Sequence, residues 1–201
     1  MELTMPRPSH ATERRKHLLP VIAHAFAELG YHRATTAELA RRCDVRENIL
    51  YRLWRDKKAM FVASIDYVYE QAVENWREVL AEPGEGDHAA VRLLRHEAEH
   101  YGESGLHRII LAGLSESDEP EIREALRSMY GRFHRFIREQ IAAFRSGDSS
   151  SAVPDESVSA WAIVGLGSVS NISRELGLLT DHGRKRLLGD AGWLLLEGGR
   201  R

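Results

Sequence analysis

Apolar residues recur every three to four positions along almost the whole chain, and no stretch alternates as a strand does. That period makes amphipathic helices whose apolar faces must bury against one another, so the expected class is all-α. At 201 residues the chain is long enough for one large domain or two small ones. It has no run of about 18 apolar residues, the length a membrane-crossing helix needs. Residues 1–10, with Pro6 and Pro8, read as a flexible arm without the apolar core of a secretory signal. Cys43 is the single cysteine, which excludes an intrachain disulfide and a cysteine-built zinc site and fits a cytoplasmic protein.

About nine helices are expected. The first, 11–29, aligns Leu18, Ile22, Ala25, Phe26 and Leu29 and is ended by Gly30. Pro20 lies inside it, so a kink near 16–20, or a start close to Pro20, is expected. Short helices at about 36–43 and 47–53 precede a longer one at about 57–80. The run from Glu82 to Asp87 breaks the pattern. Further helices follow at about 88–102, 105–115 and 120–145. Val91, Leu94, Ala98 and Tyr101 lie in phase on the first of these three. A polar loop, Ser146–Pro154, leads to helices at about 155–177 and 182–197.

Charge is unevenly spread. Residues 1–58 hold twelve basic and seven acidic side chains, a net of +5, and residues 59–201 carry −7. A basic head on an acidic body suits a polyanionic partner.

The segment 35–61 carries the most specific information. It reads as two short helices joined by a tight turn. Thr35 or Thr36 can cap the first, with Glu38 where a capping box places a carboxylate. Leu39 and Ala40 face inward, and Asp44 falls where the turn needs a left-handed backbone. Val45 fills the angle, and Leu50, Leu53 and Trp54 anchor the second helix. Arg46, Glu47, Asn48, Tyr51 and Arg52 are left pointing outward. Arg and Asn pair with base edges in a major groove, while a Tyr hydroxyl, or Lys57 at the next helix start, suits phosphate. The expected DNA-binding set is therefore Thr35, Thr36, Arg46, Glu47, Asn48, Tyr51, Arg52 and Lys57.

Residues 11–61 resemble the DNA-binding domain of the tetracycline-repressor (TetR) family of bacterial regulators. The resemblance is carried by Phe26-Ala27-Glu28-Leu29-Gly30-Tyr31, Thr35-Thr36-Ala37-Glu38-Leu39-Ala40, Val45, Leu50-Tyr51, Trp54 and Lys57-Lys58-Ala59-Met60-Phe61. The family usually has Gly where Asp44 stands and Phe where Trp54 stands. The resemblance implies a three-helix helix-turn-helix domain, 1–58, and a helical ligand-sensing and dimerisation domain, 59–201. It further implies a homodimer that binds a palindromic double-stranded DNA operator, usually as a repressor, and releases it when a small-molecule effector enters the sensor. No cofactor, no membrane and no enzymatic activity are implied.

Two C-terminal helices are the expected dimer interface, because the helix at 155–177 is apolar over much of its circumference. The interface set is Trp161, Val164, Gly165, Gly167, Ser168, Ile172, Leu188, Ala191 and Leu195. By resemblance the effector pocket lies among the middle helices, with Trp76, Leu94, Tyr101, Met129, Phe133 and Trp161 as lining.

Three other patterns suggest different chemistry. His96-Glu97-Ala98-Glu99-His100 matches a zinc-hydrolase spacing, but both histidines fall opposite the apolar stripe, where no walled cleft is expected. Gly165-Leu166-Gly167 lacks the third glycine of a dinucleotide fingerprint, because Ser170 stands there, and no strand precedes it. Cys43 is expected in a small core slot.

Overall fold

The structure, a computed structural model, describes residues 10–81, 88–146 and 154–198. The expected arm at 1–9, the break at 82–87 and most of the Ser146–Pro154 loop lie outside these residues. Among the described residues every regular element is a helix. They are α1 (His10–Arg33), α2 (Thr36–Arg42), α3 (Glu47–Leu53), α4 (Lys57–Ala81), α5 (Ala89–His100), α6 (His107–Ser115), α7 (Pro120–Arg145), α8 (Glu156–Leu176), α9 (Asp181–Arg186) and α10 (Gly192–Glu197). A single π turn, Leu187–Ala191, joins α9 to α10.

Two expectations about these elements need correction. Helix α1 begins at His10 and passes through Pro20, and its only non-helical backbone is at Gly30, φ 73 and ψ 173. Pro20 is a residue without an N–H, but the chain on either side keeps helical torsions, so the interruption falls where glycine makes a positive φ inexpensive. The last helix, expected as one run, contains the π turn, whose extra residue rotates α10 relative to α9.

The helices sort into two compact units. One comprises the chain up to Val68 together with Gly105–Leu126; the other comprises Tyr69–Ser104 and the chain from Arg127 onward. In the first, α1 packs on α2, α3 and α6. Ile22, Phe26, Leu39, Leu50, Phe61 and Ile109 are fully buried there. Phe26 meets Phe61 edge to face at 4.9 Å between centroids. Full burial of such side chains contributes about 1.5–3 kcal/mol each, and this is what holds the two seven-residue helices.

In the second unit, Ala90, Ile141, Ala160 and Leu196 form a cluster with Val91, Leu94, Ile137, Phe144 and Ile163 around it. Arg145 is buried, and among the described residues it has no carboxylate partner. Its donors reach the carbonyls of Leu195 (2.6 Å), Leu196 (3.0 Å) and Pro154 (2.9 Å) and the Ser159 hydroxyl (3.0 Å). The carbonyl-rich end of α10 supplies the negative potential that makes this cation tolerable.

Helix α5 packs along its expected stripe and beyond it: Val91 and Leu94 lie on the core cluster and Tyr101 against Gly167. Ala90 and Leu93 are its buried residues, and Glu97, one turn on, accepts a hydrogen bond from Trp76. Close backbone approaches seat two residues of the stripe. A Cβ at Gly192 would lie 2.5 Å from Leu94 Cδ1, and one at Gly167 would overlap the Tyr101 hydroxyl and stand 2.8 Å from its Cζ. Gly167→Ala must therefore displace a buried ring, an overpacking that costs about 1–3 kcal/mol. Urea denaturation of the purified variant should show a lowered midpoint, whereas Gly165→Ala, with open space at its Cβ, should not.

Candidate nucleic-acid interface

The segment from Thr35 to Trp54 is built from the turn outward. Thr35, extended at φ −72 and ψ 155, caps α2 by accepting from the Glu38 amide at 3.2 Å. The reciprocal half of a capping box is absent, because the Thr35 amide donates to the Arg33 carbonyl. The Glu38 carboxylate instead accepts from Arg41 at 2.7 Å and Arg42 at 2.8 Å. Those two guanidinium groups hold its pKa down to about 2. Asp44 is the one described residue other than glycine with positive φ, at 51. The turn closes as the Val45 amide donates to Ala40 at 3.0 Å.

Helix α3 is fixed on its inner side by buried Leu50 and Leu53, followed by Trp54. Arg15 on α1 donates to the Leu53 carbonyl at 2.6 Å and so ties down the C-terminal end of α3. The outer side carries Arg46, Glu47, Asn48, Tyr51 and Arg52, all exposed. Arg46 and Arg52 make no ion pair among the described residues. The Tyr51 hydroxyl donates to the Thr36 hydroxyl at 3.2 Å, joining the start of α2 to the outer face of α3. Thr35, Thr36, Arg46, Glu47, Asn48, Tyr51 and Arg52 are thus on or beside one surface.

Lys57 stands apart from that group. Its ammonium donates to the Tyr31 carbonyl at 2.9 Å and lies 4.3 Å from the centre of the Tyr31 ring. Desolvation there lowers its pKa. The basic excess of the head is also smaller than the sequence count. Arg55 pairs with Asp56 and Glu121, and Lys58 with Glu119 and Glu121. Cys43 is half-buried, beside the Leu18 carbonyl, and burial raises its thiol pKa.

The second unit separates the residues expected to line a pocket. Trp76 stacks on Phe136 at 4.5 Å and meets Phe133 edge to face at 5.7 Å. Its indole N–H donates to Glu97 at 2.6 Å. Tyr101 is held by Asn171, whose amide donates to its hydroxyl at 3.4 Å, and by Arg174, which donates to its carbonyl at 2.9 Å. Met129 is fully buried. Leu94 is turned to Gly192, away from this group. Trp161 is 49 % exposed and stacks on His134 at 4.5 Å, so it is a surface residue and not pocket lining. Glu97 is the polar residue that periodicity missed; only its sequence distance from Trp76 hid it.

The interface set is likewise divided. Trp161, Gly165 and Ile172 share an outer face of α8 with exposed Val158, Val169 and Leu176. The positions 158, 161, 165, 169, 172 and 176 recur every three or four residues, as one stripe does. Gly167 points the other way, against Tyr101. Val164, Ser168, Ala191 and Leu195 are half-buried and Leu188 is buried, while Trp193 and Leu194 are exposed. The expected face was therefore rotated by about one residue on α8, and the exposed apolar residues of α10 lie just past the π turn.

The zinc-hydrolase geometry fails at its base. His96 and His100 are neighbours, 4.9 Å between ring centres, yet Glu97 is directed to Trp76 and His100 pairs with Glu103. Among the described residues no three metal-ligating side chains converge.

Residues 18–64 match the model of the family described as bacterial regulatory proteins, tetR family. The nucleoid occlusion factor SlmA of Vibrio vulnificus is 26 % identical over 161 residues, covering 78 % of this chain and 81 % of its own. Two solved structures share the fold. A putative transcriptional regulator from Saccharomonospora viridis, in complex with choline, has TM-score 0.72 and 19 % identity, covering 89 % of this chain and 95 % of its own. The transcriptional regulator FadR from Bacillus subtilis, in complex with stearoyl-CoA, has TM-score 0.69 and 15 % identity, covering 92 % and 99 %.

Asp44 offers a direct check of the turn. Asp44→Gly should keep stability to within about 1 kcal/mol. Asp44→Val, a β-branched residue forced into the left-handed region, should lose about 1–2 kcal/mol in thermal unfolding.

Proposed function

We propose, from the match of residues 18–64 to the tetR family of bacterial regulatory proteins, that this chain is a ligand-responsive transcriptional regulator of that family that binds an operator as a homodimer, most simply as a repressor. The observation that carries the reading is the outer face of α3. Within the family-matched segment it presents Arg46, Asn48, Tyr51 and Arg52 to solvent from a helix anchored on its other side. A helix of this kind fits a major groove, where Arg reads guanine and Asn reads adenine. Tyr51 and Thr36, already hydroxyl to hydroxyl, are placed as a pair for one phosphate. Lys57 is given no phosphate contact, because its ammonium is spent on Tyr31.

Two reading helices must enter successive grooves about 34–36 Å apart, so the function needs two copies. The exposed stripe of Val158, Trp161, Gly165, Val169 and Ile172 on α8 is the surface offered for that pairing. Reading is assigned to residues 1–58 and sensing and pairing to 59–201, with α4 (Lys57–Ala81) as the covalent link, although the compact unit that holds the reading helices extends to Val68 and takes in Gly105–Leu126. Small-molecule complexes of two proteins with this fold support an effector, and their unlike ligands leave its class to be argued from this chain's own side chains. Release follows if the effector binds the DNA-incompetent state more tightly than the competent one.

A gel shift against the chain's own upstream region tests this, with affinity falling steeply as salt is raised. Arg46→Ala and Asn48→Ala should each relax preference at particular base pairs by about 1–3 kcal/mol, while Tyr51→Phe should weaken all sequences alike. Equal losses on every sequence for all three variants would remove the base-reading roles.

Pairing has its own test. Val169 is exposed, so Val169→Glu should leave the helical circular dichroism unchanged. Analytical ultracentrifugation should then find monomer, and binding to a two-half-site duplex should lose its cooperativity. A variant still dimeric would place the interface elsewhere.

A further inference from the structure

Glu97 is a half-buried carboxylate in the second unit with a single protein partner among the described residues. Its one hydrogen bond among the described residues comes from the Trp76 indole at 2.6 Å. An ionised carboxylate offers about four acceptor positions. Among those residues the charged groups of the same unit have other contacts. Arg92 donates to the carbonyls of Val79 and Leu80, Arg132 lies over the Tyr69 ring, and Lys185 pairs with Glu99. His100, on the next turn of α5, hydrogen-bonds Glu103 at the surface. Burial pushes the Glu97 carboxyl up, and the Trp76 hydrogen bond and the His100 charge offset this only in part.

A second acceptor nearby is also unfilled. Asn171 is 7 % exposed, its Nδ2 donates to the Tyr101 hydroxyl, and its Oδ1 has no hydrogen-bond partner among the described residues. The Glu97 charge reaches the same Tyr101 phenol and helps raise its pKa. So two acceptors act on one tyrosine: Glu97, with one donor, and the Asn171 Oδ1, with none among the described residues. Beside them Trp76, Phe133 and Phe136 form a packed set of rings. A buried acceptor without a donor, as at the Asn171 Oδ1, is costly, and a half-buried carboxylate without a cation adds to that cost. Aromatic faces attract cations in the same place.

We infer that the effector is an organic cation bearing N–H donors, a protonated amine whose charge meets Glu97 and whose apolar body lies along Trp76, Phe133 and Phe136. This step rests on the effector-binding reading above. An anion would be repelled by the carboxylate, and a neutral ligand would leave its charge unmet.

The test titrates the full chain by calorimetry, near neutral pH, with n-alkylammonium ions from butyl to decyl and with the matching n-alkanols. At the best-fitting length the ammonium should bind about tenfold tighter than its alcohol, or about 1.4 kcal/mol. Glu97→Gln keeps a carbonyl acceptor for the Trp76 N–H but removes the charge, and it should erase that preference. Glu99→Gln, on the exposed side of the same helix, should retain it. Alcohols binding as tightly as ammonium ions in the unmodified protein, a preference that survives Glu97→Gln, or no binding of either series would overturn the inference. The wild-type comparison stands even if Glu97→Gln melts early. A gel shift run alongside separates the two levels. DNA binding with no response to ammonium sinks the cation and leaves the regulator, whereas no salt-sensitive DNA binding sinks the regulator itself.

Discussion

A helix of seven residues cannot hold itself in water, because nucleation consumes most of what a few hydrogen bonds return. Helix α3 is such a helix, and it carries the surface on which the functional reading depends. Its order comes from burial of Leu50, Leu53 and Trp54 on one side and from Arg15 closing on the Leu53 carbonyl at its end. The polar side is then free to be whatever a duplex requires. This division of labour also explains why Asp44 is accepted at positive φ. The turn angle is dictated by the packed helices on either side, and a short polar residue is among the few that enter it without a glycine.

This part of the molecule was legible in the sequence because its determinants are local. The inward positions of α2 and α3 follow one period, the turn falls between them, and Thr35 caps where its position says it should. The departures arise from contacts distant in sequence. Lys57, Arg55 and Lys58 count as free charge in a composition, yet Tyr31, Glu119 and Glu121 absorb them. Periodicity likewise counts apolar residues, so it laid α5 on Val91, Leu94, Ala98 and Tyr101 and put Glu97 aside. The packed helix places Glu97 one turn beyond buried Leu93, where Trp76 from another helix is its hydrogen-bond partner among the described residues.

Glycines were open to a similar misreading. Gly165 and Gly167 both permit a close neighbour, and the sequence offered the partner chain as that neighbour for both. At Gly167 the neighbour is Tyr101 of the same chain, whereas Gly165 has open space at its Cβ. Two residues along a helix are about 200° apart, so one glycine must face the core if the other faces out. The exposed stripe of Val158, Trp161, Val169 and Ile172 identifies which is which.

Those same close approaches connect the acidic site to the pairing surface. Tyr101 lies against Gly167, accepts from Asn171, and offers its carbonyl to Arg174, all on α8. Leu94, one turn before Glu97, is pressed against Gly192 at the start of α10. Contacts this tight do not yield by small deformation, because a close-packed interior has no slack to absorb a displaced ring. A group drawn to Glu97 and Asn171 would therefore act on α5 and α8 together, and α8 carries the outward stripe. Coupling of this kind requires two packings of α5 against α8 with different affinities for the ligand, since a ligand indifferent to the two shifts nothing. An unpaired carboxylate supplies that difference: the packing that leaves it bare is penalised until a cation arrives, and the packing that brings the cation in is favoured by the charge it neutralises.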